Sequence, residues 1–93
     1  MLFEWDEHKN TINRQKHGIS FELASRIFAD PFLITTQDIY SQDEMRFLSI
    51  GSIDGVVVIL VVHTYKDDNG AEINRLISAR KLSKSEVRKY GYR

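Results

Sequence analysis

Two arginines of this 93-residue sequence are placed where they could bind phosphate groups. Arg75 and Arg80 fall within and at the end of an apolar segment, where an arginine is costly unless it is paired or faces a cleft. A guanidinium group in a cleft can bind two phosphate oxygens at once. The two positions differ by an odd number, so in an unbroken strand they face opposite ways. Both serve one site only if the strand contains a bulge or if Arg80 lies beyond the sheet edge.

Three further residues are candidates for proton transfer or phosphate binding. His63 ends the longest apolar segment and is predicted at the rim of a sheet, where a catalytic role and a structural role are both open. Glu44 and Arg46 lie two residues apart and can share one face of a strand. The alternative for this pair is an exposed salt bridge worth roughly 0 to 1 kcal/mol.

The sequence offers no candidate metal centre. Cysteine is absent, and His8 and His17 are nine residues apart, which places them about 180° apart on a helix. No serine lies in a Gly-x-Ser-x-Gly elbow, and there is no glycine-rich phosphate loop. We therefore expect neither a metal nor a cofactor, and the arginine, lysine and histidine side chains suit an anionic phosphodiester.

The charges are unevenly distributed along the chain, although the formal net charge is zero. Residues 1–69 contain six basic and eleven acidic residues, a net charge of −5, whereas residues 70–93 contain seven basic and two acidic residues, a net charge of +5. A local positive field can bind phosphates even when the whole chain is neutral. For Lys84, Arg88 and Lys89 the alternative is an ordinary solvated helix surface.

Length and composition predict a single domain over residues 1–93. Hydrophobic residues make up 42% and charged residues 28% of the chain, a globular mixture that excludes a disordered protein. The apolar run from Val56 to Val62 is far shorter than the roughly 20 residues that span a bilayer. The N-terminus does not resemble a secretion signal, and the absence of cysteine fits a reducing compartment, so we expect a cytoplasmic protein that makes no membrane contact.

Capping and turn residues predict the order of the elements. Asp6 caps a polar helix over residues 7 to 17, and Ser20 caps a second helix that ends before Pro31. Strand-like segments follow at residues 32 to 40, 45 to 53, 56 to 64 and 72 to 80, with turns predicted at 41–43, 54–55 and 67–70. A capping box that begins at Ser83 predicts a short terminal helix to about Tyr90.

This order predicts an α+β fold. It contains a four-stranded antiparallel sheet, two N-terminal helices and a short C-terminal helix. The sequence leaves open whether Phe3 to Trp5 adds a short N-terminal strand. The segment from Val56 to Val62 lacks alternation, so it is predicted as a central strand with a layer on each face of the sheet.

Residues along almost the whole chain carry a family resemblance. In the N-terminal half they are Phe3-Glu4-Trp5-Asp6, Lys9, Asn13, Lys16-His17-Gly18, Ser20-Phe21-Glu22, Phe28 and Asp30-Pro31. In the C-terminal half they are Glu44, Arg46, Ile50-Gly51, Val62-His63-Thr64, Arg75, Ile77-Ser78-Ala79-Arg80, Glu86 and Tyr90. With these residues, from the N-terminus to about Tyr90, the sequence resembles the BrnT toxin family.

The resemblance implies a compact ribonuclease fold similar to the RelE-like toxins and a role as the toxin of a type II toxin–antitoxin system. It also implies a cognate BrnA-like antitoxin, which we expect to assemble with the toxin as a heterotetramer of two copies of each. In such pairs the antitoxin makes the contacts with promoter DNA, so this chain is expected to approach DNA only indirectly.

The resemblance and the basic C-terminal segment together predict a metal-independent endoribonuclease that inhibits translation and growth. The 2′-hydroxyl of RNA attacks the adjacent phosphorus and gives a cyclic phosphate, a reaction that DNA cannot undergo. Arg75 and Arg80 are expected to clamp phosphate, and His63 or Glu44 to transfer a proton. The predicted catalytic residues are Glu44, Arg46, His63, Arg75 and Arg80. The predicted RNA-binding residues are Lys9, Lys16, His17, Lys81, Lys84 and Arg88.

A noncatalytic module that binds a protein or RNA is the alternative function. The buried central strand and the polar first helix are equally compatible with it, and binding of RNA without a cleaved product would favour it. A sequence-specific DNA-binding protein is less well supported, because the first 30 residues show neither a helix-turn-helix pair nor a basic recognition helix.

Overall fold

The computed structural model describes residues 1–40 and 45–92 of the chain. Its elements follow in the order β1 (Leu2–Glu4), α1 (Glu7–His17), α2 (Phe21–Ala24), a 3₁₀ turn (Ser25–Ala29), β2 (Ile34–Asp38), β3 (Arg46–Ile53), β4 (Val57–Asp68), β5 (Ala71–Lys81) and α3 (Lys84–Lys89). Within the described ranges the strands form a five-stranded sheet in the order β1-β5-β4-β3-β2. None of the helices in these ranges is long and apolar enough to cross a membrane.

The sheet confirms the predicted α+β fold and adds a parallel strand to it. Strands β2 to β5 pair antiparallel with their neighbours, as predicted, whereas β1 pairs with β5 in parallel. The N-terminal strand that the sequence left open is therefore present, and the sheet is mixed. Strand β4 lies at its centre.

Turns with positive φ connect β3 to β4 through residues 54–56, one residue more than the predicted two-residue turn, and β4 to β5 through Asn69 and Gly70. Asp54 and Gly55 have φ values of 54° and 71°, and Asn69 and Gly70 have φ values of 53° and 83°. Turns of this kind match the right-handed twist of the flanking strands. The predicted four-residue turn at 67–70 is wrong, because β4 continues through the first two of these positions. The turn predicted at 41–43 lies outside the described residues.

Polar contacts attach α1 to the sheet. Asp6 caps the helix by accepting from two backbone N–H groups of its first turn, at 2.8 and 3.1 Å. The buried Asn13 side chain donates to the carbonyl oxygen of Ala79 at 2.9 Å and accepts from the N–H of the same residue at 3.1 Å. Asn13 therefore bonds to β5 as the backbone of a neighbouring strand does. The helix predicted over residues 7 to 17 is confirmed with these bounds.

The second predicted helix changes its geometry after one turn. Helix α2 is four residues long and continues as the 3₁₀ turn up to Ala29. This turn packs closely on β3, where a Cβ atom added to Gly51 would lie 2.9 Å from Cβ of Ile27. The core between these helices and the sheet comprises Ile19, Phe21, Ala24, Ile27, Ile53, Ile59, Val61, Leu76 and Ala79.

Helix α3 covers one end of the opposite face of the sheet. Its capping box is formed as predicted, because the Ser83 side chain accepts from the N–H of Glu86 while the Glu86 carboxylate accepts from the N–H of Ser83. A second, smaller core lies beneath it and includes Ile50, Leu60 and Tyr92. The central strand thus has a layer on each face at this end, as the sequence predicted.

Candidate functional site

A β-bulge in β5 determines which face of the sheet its side chains occupy. Val62 of β4 pairs with Ser78, but the next residue, His63, pairs with Leu76. Ile77 is therefore the extra residue in β5. One extra residue reverses the alternation of side chains on either side of it.

The bulge brings Arg75 and Arg80 to the same face of the sheet. Arg75 pairs with Thr64 and Arg80 with Leu60, and these two partners are an even number of residues apart on β4. The two arginines are about 13 Å apart along the strands, since a strand rises roughly 3.3 Å per residue. Of the two arrangements that the sequence left open for a shared site, the bulge is the one observed.

Arg46 lies on this face as well. It directly precedes Phe47, which pairs with His63 on the face covered by α1 and α2, called here the helix-covered face. Successive residues of a strand point to opposite faces, so Arg46 lies beside Thr64 on the face that carries Arg75 and Arg80. Two strand spacings separate Arg46 from Arg75, or about 10 Å. We call the part of this surface beyond α3 the open face, and it carries Arg46, Leu48, Val62, Thr64, Arg75, Ser78 and Arg80. Glu44, which was predicted to share a face with Arg46, lies outside the described residues.

Carboxylates hold two of the open-face arginines in place. Arg80 donates from Nη1 and Nη2 to the two oxygens of Glu86, at 3.1 and 2.8 Å. These hydrogen bonds hold the pKa of Glu86 at about 2 and raise the pKa of Arg80. Nη1 of Arg75 and Nζ of Lys66 each lie 3.5 Å from the same oxygen of Glu4. Arg75, Arg80 and Lys66 thus carry one positive charge more than the two carboxylates that contact them within the described residues.

His63 lies on the opposite face, beneath the helices, and the predicted position at the rim of the sheet is wrong. β4 continues for five residues beyond His63, and the side chain is only 3% exposed. Its Nε2 lies 2.7 Å from Oγ of Ser49, which lies 2.7 Å from Oγ1 of Thr35. The sheet separates this ring from the three arginines. The proton-transfer role of His63 stays a prediction.

Burial sets the ionisation of His63. It lowers the pKa of the ring because a charged imidazolium loses its hydration in the core. The Asn74 side chain and the backbone of Thr64 favour the charged form and offset this effect only in part. The His63 ring is therefore neutral near pH 7, and it hydrogen-bonds to Ser49 in this form.

The predicted RNA-binding residues of α1 line a groove at the outer edge of β5. Lys9, Lys16 and His17 surround a cavity of about 180 Å³ together with Ile12, Asn13, Ile77 and Ser78. Ser78 belongs both to this α1 groove and to the open face. Beyond Arg80, the exposed side chains of Lys84 and Arg88 follow on α3. Lys81 is exposed at the end of β5, but it pairs with Ile59 of the first core and so lies on the opposite face from Arg80. Basic residues therefore flank the open face on two sides.

Glu4 and Glu86 contribute to the site although the sequence did not identify them as functional. The capping-box pattern places Glu86 in the first turn of α3 but carries no signal for its contact with Arg80. The contact of Glu4 with Arg75 depends on the parallel pairing of β1 with β5, which a three-residue strand does not encode visibly. Within residues 1–40 and 45–92, no three histidine, aspartate or glutamate side chains form a group that could hold a metal ion.

Comparisons with known proteins point to one family. A family model described as the ribonuclease toxin BrnT of type II toxin–antitoxin systems matches residues 5–86. No curated protein matches the chain. Among solved structures, the crystal structure of the Brucella abortus ribonuclease toxin BrnT is similar, with a TM-score of 0.62 and 25% sequence identity over 90% of this chain and 100% of that one. The chain therefore belongs to the BrnT family of ribonuclease toxins of type II toxin–antitoxin systems.

Proposed function

We propose that this protein is a metal-independent endoribonuclease that cleaves RNA in the cytoplasm and thereby inhibits translation and growth. The observation that carries the proposal is the convergence of Arg46, Arg75 and Arg80 on the open face, around Val62 and Ser78. Fixed arginines can neutralise the charge that gathers on phosphoryl oxygens in the transition state. The description of the family as a ribonuclease toxin supports RNA as the substrate.

The proposed reaction uses the 2′-hydroxyl of the substrate as nucleophile. The 2′-oxygen forms a bond to the adjacent phosphorus while the bond from phosphorus to the 5′-oxygen breaks, which gives a 2′,3′-cyclic phosphate and a free 5′-hydroxyl. The 2′-proton passes to a base, and the leaving oxygen takes up a proton. Glu44, the acid nearest to Arg46 in sequence, remains our candidate base, and the open-face arginines stabilise the negative charge.

The proposed path of the RNA crosses the sheet and both of its basic flanks. Ser78 connects the open face to the α1 groove, where Lys9, Lys16 and His17 are available for phosphates on one side of the cleavage point. Lys84 and Arg88 are available on the other side, and Lys81 is available where the RNA passes around the end of β5. Contacts of this kind position the RNA without selecting a sequence.

Cleavage of RNA by the purified protein in EDTA tests the proposal. We expect a cyclic phosphate product, no cleavage at a position that carries a 2′-deoxynucleotide, and a rate at least about 100-fold lower in Arg46→Ala, Arg75→Ala and Arg80→Ala. Arg26→Ala is the matched control, because Arg26 pairs with Asp54 away from the open face. Loss of cleavage on chelation, or full activity in the three open-face variants, contradicts the mechanism. RNA binding without any product supports the noncatalytic alternative.

The same open face is the proposed binding surface for a cognate BrnA-like antitoxin. As a toxin of a type II system, the chain has an antitoxin partner. We propose that this partner covers the arginines with acidic or apolar side chains, in a heterotetramer of two toxins and two antitoxins, and that promoter DNA is contacted through the antitoxin. The mass of the co-purified complex tests the stoichiometry.

A further inference from the structure

We propose that Glu86 is a positioning residue for RNA cleavage, which holds one edge of the Arg80 guanidinium group and leaves a second edge available to a phosphate on the open face. The inference rests on the proposed ribonuclease function. It assigns to α3 a part in the reaction that goes beyond covering one end of the sheet.

The hydrogen bonds of Arg80 occupy the outer edge of its guanidinium group. Nη1 and Nη2 donate to the two carboxylate oxygens of Glu86, and Nη1 also donates to the carbonyl oxygen of Lys81 at 3.4 Å. The Nε–H and the remaining N–H of Nη2 take part in no hydrogen bond with the described residues. These two groups point the same way on the planar guanidinium and form a second fork that matches two phosphate oxygens. Arg80 can therefore bind Glu86 and a phosphate together.

The carboxylate of Glu86 is itself held at a defined position. Its Oε1 also accepts from the backbone N–H of Ser83 at 3.1 Å, and the backbone N–H of Glu86 donates to the Ser83 hydroxyl at 3.2 Å. The next residue, Val87, packs against the second core with Tyr92. The position of the carboxylate is thus fixed by α3, and that of Arg80 by the carboxylate. An arginine held in this way loses less conformational freedom when it binds phosphate.

The same contact allows an opposite interpretation, in which Glu86 competes with phosphate and inhibits the enzyme. The two interpretations predict opposite changes in rate. If Glu86 positions Arg80, its removal slows the chemical step, since a misplaced group stabilises the transition state poorly. If Glu86 competes, its removal accelerates cleavage. In both cases the loss of a negative charge beside the RNA leaves binding unchanged or makes it tighter.

Glu86→Gln separates the effect on Arg80 from the effect on the helix, because glutamine at this position also completes a capping box. We expect the single-turnover cleavage rate to fall at least about tenfold, with an unchanged or smaller RNA dissociation constant. Glu86→Asp, which keeps the charge on a shorter side chain, should restore part of the rate. Asp54→Asn is the matched control, since both carboxylate oxygens of Asp54 accept from Nη2 of Arg26 and not from an open-face arginine, and it should cleave at the wild-type rate.

A double variant tests whether Glu86 acts through Arg80. Glu86→Gln should cause no further loss of rate in the Arg80→Ala background. An unchanged or higher rate in Glu86→Gln overturns the proposal. So does a rate that falls only in proportion to weaker RNA binding and a lower melting temperature, with no recovery in Glu86→Asp. If Arg80→Ala alone cleaves at the wild-type rate, the role of Arg80 in the proposed function fails instead.

Discussion

Asn13 is a single side chain that replaces a strand at the edge of the sheet. β1 pairs with β5 from Ile73 to Arg75, and among residues 1–40 and 45–92 no strand pairs with the following part of β5 on that side. There the Asn13 side chain binds both the N–H and the carbonyl oxygen of Ala79, and it also donates to the carbonyl oxygen of Ile19 at 2.9 Å. These bonds lie in the buried contact between α1 and β5.

Asn13→Ala is expected to lower the free energy of unfolding by about 1 to 3 kcal/mol, because it leaves the backbone groups of Ala79 unpaired in a buried contact. Urea denaturation at neutral pH measures the change. Gln15→Ala is the matched control, since Gln15 is exposed on the same helix, and it should change the stability by less than about 0.5 kcal/mol. Equal effects of the two substitutions would show that the edge of β5 does not need Asn13.

The sequence predicted the chemical types at the site better than their arrangement. Arg75 and Arg80 stood out because an arginine in an apolar strand is costly without a partner or a cleft. Whether they share a face depended on the bulge at Ile77, a residue that has none of the glycine signal that marks some bulges. The contact of Arg80 with Glu86 could not be predicted either, since it joins the end of a strand to the start of a helix across a turn.

A buried chain of polar side chains links three strands of the sheet. On the helix-covered face, Ser49 of β3 is hydrogen-bonded to Thr35 of β2 and to His63 of β4. The ring of His63 also packs edge-on against Phe28, with 5.0 Å between the ring centroids. A protonated ring would place a positive charge inside this layer, so the neutral form belongs to the folded state.

The neutral state of His63 makes the stability of the sheet depend on pH. The unfolded chain takes up a proton near the ordinary histidine pKa of about 6.5, and the folded protein does so only at a lower pH. Between the two values the unfolded state binds more protons, so stability is lost as the pH falls from about 6.5 through the folded pKa. His63→Gln should flatten this dependence above about pH 5, where most carboxylates are still ionised.

Urea unfolding at a series of pH values measures the slope for the wild type and the variant. His8→Gln serves as the control, because His8 is exposed on α1 and should leave the slope unchanged. A slope that is as steep in His63→Gln as in the wild type would assign the pH dependence to other groups.

Turn chemistry explains why most elements could be predicted and some could not. The Asp54–Gly55 pair marked the turn of the central hairpin, because its positive φ values suit these residues. The register differs by one residue from that of a two-residue turn, since Ile53 pairs with Val57 and Val56 belongs to the connection. The last part of β4 is polar from Lys66 to Asp68, and the sequence assigned Asp67 and Asp68 to a turn, yet pairing with β5 keeps them extended. The parallel partner of β1 had no local signal, since three residues carry no register information of their own.

At the scale of the whole molecule, the neutral net charge conceals a local positive surface. Among the described residues, the basic side chains of the last quarter of the chain belong to β5 and α3, most of them at or beside the open face, and the α1 groove adds Lys9 and Lys16. Acidic residues predominate in the rest of the chain. A protein of this kind can attract RNA to one surface while the remainder repels it, which limits nonspecific coating.

The number of phosphates held by the flanks of the open face determines how RNA binding responds to salt. Each basic residue that neutralises a phosphate of single-stranded RNA contributes about 0.7 to the slope of the logarithm of the binding constant against the logarithm of the salt concentration. Removing Lys84 and Arg88 together should therefore weaken binding to every RNA sequence and reduce the slope by about 1.4. Arg26→Ala removes an exposed charge from the 3₁₀ turn on the other side of the sheet and should leave the slope unchanged. If the Lys84 and Arg88 double variant keeps the wild-type slope, α3 is an ordinary solvated helix and the RNA path does not cross it.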